Sequence, residues 1–236
     1  MFKGLINAFY PPVCIACGNV IEETGLCKEC KRSVRLVTGA TCTKCGKTLL
    51  TDEKLLCNDC ARRMHYFEKN VILFEYMGEM KESIYHFKYK NARVYAEYFA
   101  RVAKARYGNL LYKWNIDTIV AVPMYNKKEI HRGYNQAEEF AEQLGQQMGI
   151  KIDKDFIKRS KDTVPMKELS SEMRYENLKK VFSVNTEKIG LHKNMLLVDD
   201  IYTTGATLDA CARVMLKAGV RTVYGMCIAG GRDNKN

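Results

Sequence analysis

Short apolar runs alternate with amphipathic segments throughout residues 66–236. Four of these runs have the length and the continuous hydrophobicity of strands that are buried on both faces of a sheet. Because segments with helical periodicity separate them, the pattern predicts an α/β fold built on a mostly parallel sheet. The predicted strands span residues 71–76, 118–123, 195–200 and 222–229.

Three amphipathic segments have the spacing of apolar residues that predicts a helix with one buried face. The third segment begins directly after a loop of small residues. The residues predicted to face the core are Tyr95, Tyr98, Phe99 and Val102 in the first helix, Ala137, Phe140, Ala141, Leu144 and Met148 in the second, and Leu208, Cys211, Met215 and Ala218 in the third.

The first 65 residues differ from the rest because they contain eight of the ten cysteines. The eight form four C-x-x-C pairs, and two such pairs make one closed tetrahedral zinc site. Gly18 and Gly46 follow equivalent cysteines in the two quartets, as tight turns and a sequence duplication would produce. The spacing therefore predicts two structural zinc ions in zinc ribbons. The predicted ligands are Cys14, Cys17, Cys27 and Cys30 for one ion and Cys42, Cys45, Cys57 and Cys60 for the other.

A disulfide framework is the competing interpretation, since an even cysteine count also suits a secreted domain. Residues 1–12 carry only a brief apolar patch, which is too short for the core of a signal peptide. We therefore expect a reducing, cytoplasmic location and zinc rather than disulfides. Grouping the cysteine pairs in chain order is preferred, and an interleaved grouping stays open. No apolar run reaches the length of a transmembrane helix, so we expect no membrane span.

The length of 236 residues suits two domains, a metal-stabilised module at residues 1–65 and an α/β domain at residues 66–236. Both are basic: the first contains 10 basic and 6 acidic residues, the second 28 and 21, and the net charge is +11. Diffuse positive charge predicts salt-sensitive affinity for nucleic acid that does not depend on base sequence. It suits a polyanionic small molecule equally well.

The segment L-L-V-D-D-I-Y-T-T-G-A-T-L-D, residues 196–209, carries the chemistry that the pattern indicates most clearly. Asp199 and Asp200 come at the carboxyl end of a predicted strand, where open α/β sheets bind ligands. The small residues that follow let backbone N–H groups approach an anion at the start of a helix. A strand-to-helix turn with solvated aspartates is the alternative. The predicted anion-binding residues are Thr203, Thr204, Gly205, Ala206 and Thr207.

This segment resembles the phosphoribosyl pyrophosphate motif of type I phosphoribosyltransferases. The resemblance implies a sheet of that kind in residues 66–236 and a site for phosphoribosyl pyrophosphate with Mg²⁺. It implies that Asp199 and Asp200, as the catalytic carboxylates, contact the ribose hydroxyls or hold Mg²⁺. The backbone of residues 203–207 would take the 5-phosphate.

Two further segments are predicted to complete such a site. Met124 and Arg132 lie in a strand-end loop that suits pyrophosphate. The sequence R-G-Y-N-Q at residues 132–136 is also typical of a polar helix start. The polar stretch at residues 159–182 suits a mobile lid, in which Lys167 and Arg174 would stabilise charge on closure. An ordinary surface segment, partly helical, is the alternative for that stretch.

Cations interleaved with aromatic residues at positions 85–93 suit contact with single-stranded DNA. The predicted contacts are Lys88, Lys90 and Arg93. The end of an amphipathic helix has the same pattern, and that interpretation is the preferred one.

In this order, the cysteine pairs, R-G-Y-N-Q-A, P-M-K-E-L-S and V-D-D-I-Y-T-T-G-A-T resemble the ComF family of competence proteins. One departure is Met166, which stands where the family pattern leads us to expect glutamine. The resemblance implies a cytoplasmic protein that handles incoming single-stranded DNA during natural transformation and keeps a phosphoribosyl pyrophosphate site. Two alternatives are an active phosphoribosyltransferase with a nucleobase acceptor, and an adaptor that docks a helicase or recombination protein.

Overall fold

A computed structural model describes residues 11–125, 130, 132–159, 173, 178, 181–188 and 193–233. The strands in this part of the chain are β1 (Asn70–Glu75), β2 (Thr118–Ala121), β3 (Lys151–Ile152), β4 (Ile157–Arg159), β5 (Phe182–Val184), β6 (Asn194–Tyr202) and β7 (Thr222–Gly230). Among the described residues, five strands form a parallel central sheet in the order β1-β7-β6-β2-β3. Strands β4 and β5 pair antiparallel beside it.

The predicted α/β class and mostly parallel sheet are confirmed, and each predicted strand has a counterpart. Strand β6 runs further than the apolar pattern indicated, because its pairing with β7 continues to Tyr202, opposite Gly230. Asp199 and Asp200 therefore lie within the last part of the strand, with two ladder residues after them.

The helices given for the described residues are α1 (Cys30–Ser33), α2 (Asn58–Arg62), α3 (Glu79–Tyr89), α4 (Tyr95–Lys113), α5 (Gln136–Met148) and α6 (Ala206–Lys217), with a short 3₁₀ helix at Thr186–Lys188. The predicted helical faces pack against the sheet in α4, α5 and α6. Asn135 caps α5, because its side-chain oxygen accepts from the N–H of Ala137 at 3.1 Å. No helix in the described ranges has the length and apolarity needed to cross a bilayer.

The two cysteine quartets pack on opposite faces of the sheet. The first quartet shares a core with α3, α4 and α5, and the second shares a core with α6 and the β4-β5 pair. The segment between them runs beside the edge strand β1, where the N–H of Val37 donates to Leu73 O and the N–H of Glu75 donates to Arg35 O, both at 2.9 Å. This segment covers the sheet edge. The division into domains at residue 65 stays a prediction.

Candidate functional site

The eight cysteine sulfurs of the N-terminal segment converge in two groups, and within each group the four Sγ atoms lie within 4.8 Å of one another. The Sγ atoms of Cys17 and Cys27 are 3.9 Å apart, and those of Cys45 and Cys57 are 3.6 Å apart. Tetrahedral zinc with Zn–S bonds of about 2.3 Å requires sulfur separations of about 3.8 Å. Both groups therefore fit a structural zinc ion. They combine the cysteines in chain order, as Cys14, Cys17, Cys27 and Cys30, and as Cys42, Cys45, Cys57 and Cys60.

Equivalent turns build the first half of each cysteine group. The N–H of Gly18 donates to Cys14 O at 2.8 Å, and the N–H of Gly46 donates to Cys42 O at 2.9 Å. Both glycines have φ of +77°, which a residue with a side chain rarely adopts. A Cβ atom on Gly46 would also lie 2.8 Å from the carbonyl oxygen of Asn70. The second turn therefore combines a ligand knuckle with close packing against β1.

The carboxylate pair lies at the carboxyl edge of the sheet, beside the end of β2. The connection after β2 leads towards β3 on one side, and the connection after β6 leads towards β7 on the other. Such a reversal opens a crevice in which α/β sheets bind ligands. Met124 follows β2 on this edge and is partly buried.

The two carboxylates differ in their surroundings. The ammonium of Lys88 lies 2.9 Å from Asp200 Oδ2, and both side chains are less than one-fifth exposed. Asp199 Oδ1 accepts from the N–H of Asp200 at 2.8 Å. Burial, followed by the negative charge of Asp200, raises the pKa of Asp199 to about 7, against the smaller opposing effects of that N–H, Lys88 and Arg159. One carboxyl group of the pair is thus close to its titration midpoint at neutral pH.

The loop after β6 ends at Gly205, the N-cap of α6, with φ of +81°. The carbonyl oxygen of Gly205 accepts from the N–H of Asp209 at 2.8 Å, and Thr204 Oγ1 accepts from the N–H of Ala206 at 3.4 Å. A glycine has no side chain to occupy the first turn of a helix, where N–H groups and the helix dipole favour an anion. Ala206 and Thr207, predicted as loop residues, belong to that first turn.

The end of the cysteine-rich segment contacts this loop, which the sequence did not indicate. The side chain of His65 is 1% exposed, and its Nδ1 lies 2.6 Å from Asp209 Oδ2. The N–H of Tyr66 donates to Asp209 Oδ1 at 2.8 Å. His65 Cε1 lies 3.2 Å from the position of a Cβ on Gly205. An acidic residue in the first turn of a helix is common, so the spacing of Asp209 alone does not reveal its histidine partner.

The three predicted DNA contacts lie in different surroundings. Lys88 is engaged with Asp200 in the carboxylate site, whereas Lys90 is exposed. Arg93 donates to Gly133 O at 2.7 Å, and its guanidinium lies 4.6 Å from the ring centroid of Tyr134. The preferred interpretation of residues 85–93 is the end of an amphipathic helix, and α3 does end within this segment, at Tyr89.

Arg132 lies before α5 and donates to Gln136 Oε1 at 2.6 Å. Its guanidinium lies 4.8 Å from the ring centroid of Tyr89. The predicted lid cations, Lys167 and Arg174, lie outside the described residues. Within the described part of the chain, this edge of the sheet therefore combines the carboxylate pair, the glycine loop and the cation Lys88.

Comparisons with known proteins agree with this geometry. Residues 5–64 match the model of the double zinc ribbon domain, and residues 89–235 match that of the phosphoribosyl transferase domain. The chain is 30% identical to competence protein F of Haemophilus influenzae over 216 residues, or 89% of this chain and 93% of that one. It is 28% identical to the DNA utilization protein YhgH of Salmonella typhimurium, with 92% and 96% covered. Competence protein ComFC of Bacillus subtilis is 27% identical, with 82% and 79% covered. These matches cover most of the chain and agree with the arrangement of its cysteine clusters, sheet and loop. The chain therefore belongs to the ComF family of competence proteins.

Proposed function

We propose that this protein binds phosphoribosyl pyrophosphate with Mg²⁺ and handles incoming single-stranded DNA in the cytoplasm during natural transformation. The observation that carries the donor site is the placement of Asp199, Asp200 and the Gly205-capped helix at one edge of the sheet. Carboxylate oxygens suit a hard cation and sugar hydroxyls, and the helix start suits a phosphate.

The roles of the residues follow from this proposal. Asp199 and Asp200 hold the ribose hydroxyls or Mg²⁺, and residues 203–207 hold the 5-phosphate. Bound Mg²⁺ supplies positive charge that offsets the polyphosphate. Lys88 pairs with Asp200, and if Asp200 held a cation or a sugar hydroxyl, the Lys88 ammonium would be free to contact the anionic donor. Met124 and Arg132 would line the pyrophosphate side, and Lys167 and Arg174, which lie outside the described residues, keep their predicted role in a lid.

The proposed DNA role rests on the basic charge of the chain and on the relatives. The basic excess occurs in residues 1–65 and in residues 66–236. The names of the relatives refer to competence and to DNA utilization. The zinc ribbons at residues 1–65 and the transferase-like domain at residues 66–236 would then form a joint basic surface for nucleic acid.

An active phosphoribosyltransferase is the second candidate, favoured by the match of residues 89–235 to the phosphoribosyl transferase domain. In that reaction a nucleobase nitrogen forms a bond to C1 of the ribose while pyrophosphate leaves with the electrons of the broken C–O bond. The proton that the acceptor nitrogen loses passes to a carboxylate or to water.

Calorimetry tests the donor site directly. Zinc-loaded protein and the Asp199→Asn, Asp200→Asn double variant are titrated with phosphoribosyl pyrophosphate plus Mg²⁺, each with and without single-stranded DNA. We expect saturable binding by the natural protein and loss of that binding in the variant. Absence of binding by folded, zinc-loaded natural protein refutes the donor site. Pyrophosphate release on adding nucleobases separates the enzyme from a protein that only binds.

A further inference from the structure

Helix α3 carries a pair of exposed tyrosines on its outer surface. Tyr85 and Tyr89 are 48% and 56% exposed, and their ring centroids are 5.1 Å apart. The two residues are four positions apart, so they stand one above the other on one helix face. The ring of His86 lies 6.1 Å from that of Tyr85. Single exposed apolar residues are ordinary, but adjacent aromatic faces form a surface on which planar groups stack.

Cations border this tyrosine pair. The guanidinium of Arg132 lies 4.8 Å from the ring centroid of Tyr89 and donates to its hydroxyl at 3.3 Å. Lys90 is exposed at the carboxyl end of α3. The same surface therefore offers aromatic faces for bases and positive charge for phosphates, which is the combination that binds single strands without regard to sequence.

The position of Lys88 connects this surface to the donor site. Lys88 lies three residues after Tyr85 and one before Tyr89, and its ammonium contacts Asp200 at 2.9 Å. Residues three and four apart share a helix face. The face that presents the tyrosines to solvent thus adjoins the side chain that enters the carboxylate site.

We propose that Tyr85 and Tyr89 are a stacking platform for successive bases of single-stranded DNA, with Lys90 contacting its phosphates. The proposal rests on the proposed function and adds to it a location for the strand, beside the donor site. Charge complementarity favours this occupant, because Lys90 and Arg132 border the pair. The two exposed rings have centroids 5.1 Å apart and are tilted by 46° to each other, so each offers part of its surface to a base.

Fluorescence anisotropy with a labelled thymidine oligonucleotide and zinc-loaded full-length protein tests the platform. We expect Tyr85→Ala with Tyr89→Ala to weaken binding at least tenfold, and the corresponding Phe pair to keep most of it. Tyr112→Ala is the matched control, because Tyr112 is 83% exposed in α4 and should not change the affinity. The salt dependence should stay the same in the Ala pair, because stacking releases no counterions.

An abasic oligonucleotide of the same length separates base contacts from phosphate contacts. The natural protein should bind it more weakly than the thymidine strand, and the Ala pair should bind it as the natural protein does. Equal binding of the thymidine strand by the natural protein and by the folded Ala pair overturns the platform and leaves the DNA role intact. Failure of the natural protein to bind any single strand overturns both. Zinc content and circular dichroism establish that each variant is folded.

Discussion

The packing beneath Gly205 allows a direct test of the proposed phosphate loop. A Cβ atom on Gly205 would lie 2.5 Å from the hydroxyl oxygen of Tyr202 and 3.2 Å from Cε1 of His65. Both neighbours are held in place, since Tyr202 is 1% exposed and the side chain of His65 is paired with Asp209. Gly205→Ala must therefore displace the loop or the residues below it.

The size of the effect follows from two terms. Alanine at the φ of +81° found at Gly205 costs about 1–2 kcal/mol of backbone strain. The added methyl in a packed region costs about 1–3 kcal/mol more. Gly219, beyond the other end of α6, is a matched control, because its φ is +88° and a Cβ there meets no atom within 4 Å. Gly219→Ala should show the strain term alone.

Urea unfolding of zinc-loaded protein measures both variants, and calorimetry measures their binding of phosphoribosyl pyrophosphate with Mg²⁺. We expect Gly205→Ala to lose about 1–3 kcal/mol more stability than Gly219→Ala and to bind the donor at least tenfold more weakly, since its loop is displaced. Gly219→Ala should bind normally. Equal stability losses and equal donor affinities in the two variants would refute the idea that packing beneath Gly205 shapes the phosphate site.

Three other perturbations test the surroundings of the site. Lys88→Gln should lower the free energy of unfolding in magnesium-free buffer by about 1–3 kcal/mol, because Asp200 loses its cation. Added Mg²⁺ should restore part of that loss, and Lys90→Gln, an exposed control, should change stability by under about 0.5 kcal/mol. Because the pKa of Asp199 is raised, the folded protein holds a proton on this group between about pH 4 and 7, where the unfolded chain has released it. The contribution of Asp199 to the free energy of unfolding therefore falls as pH rises through that window. Asp199→Asn should remove that slope. If the free energy of unfolding changed equally between pH 5.5 and pH 8 in the natural protein and in Asp199→Asn, the raised pKa of Asp199 would be contradicted. Chelation of zinc should lower the melting temperature of the whole chain, because both cysteine groups share cores with the sheet; an unchanged, separate transition for the sheet would argue against it.

Local pattern was sufficient for the features that depend on neighbouring residues. The apolar runs predicted the strands because a strand buried on both faces needs continuous hydrophobicity. Paired cysteines predicted two metal sites because two thiolates separated by two residues reach one ion. The carboxylates, the glycine loop and the start of α6 are consecutive in the chain, so their order alone indicated a phosphate site and resembled a known motif.

Contacts between distant residues were decided by the tertiary structure. Lys88 is one of the predicted DNA contacts, which stays a prediction, and only the packing of α3 shows that its ammonium lies 2.9 Å from Asp200 Oδ2. His65 and Asp209 are 144 positions apart and meet because the second cysteine group packs on the face of the sheet that carries α6. Periodicity says which face of an element is buried, but the partner of a buried charge depends on how the elements assemble. The sequence by itself determined the strands, the helices and the order of residues in the motif, because these depend on neighbouring residues. The tertiary structure decided which charges and which zinc ribbon lie beside the motif, because those contacts join residues far apart in the chain.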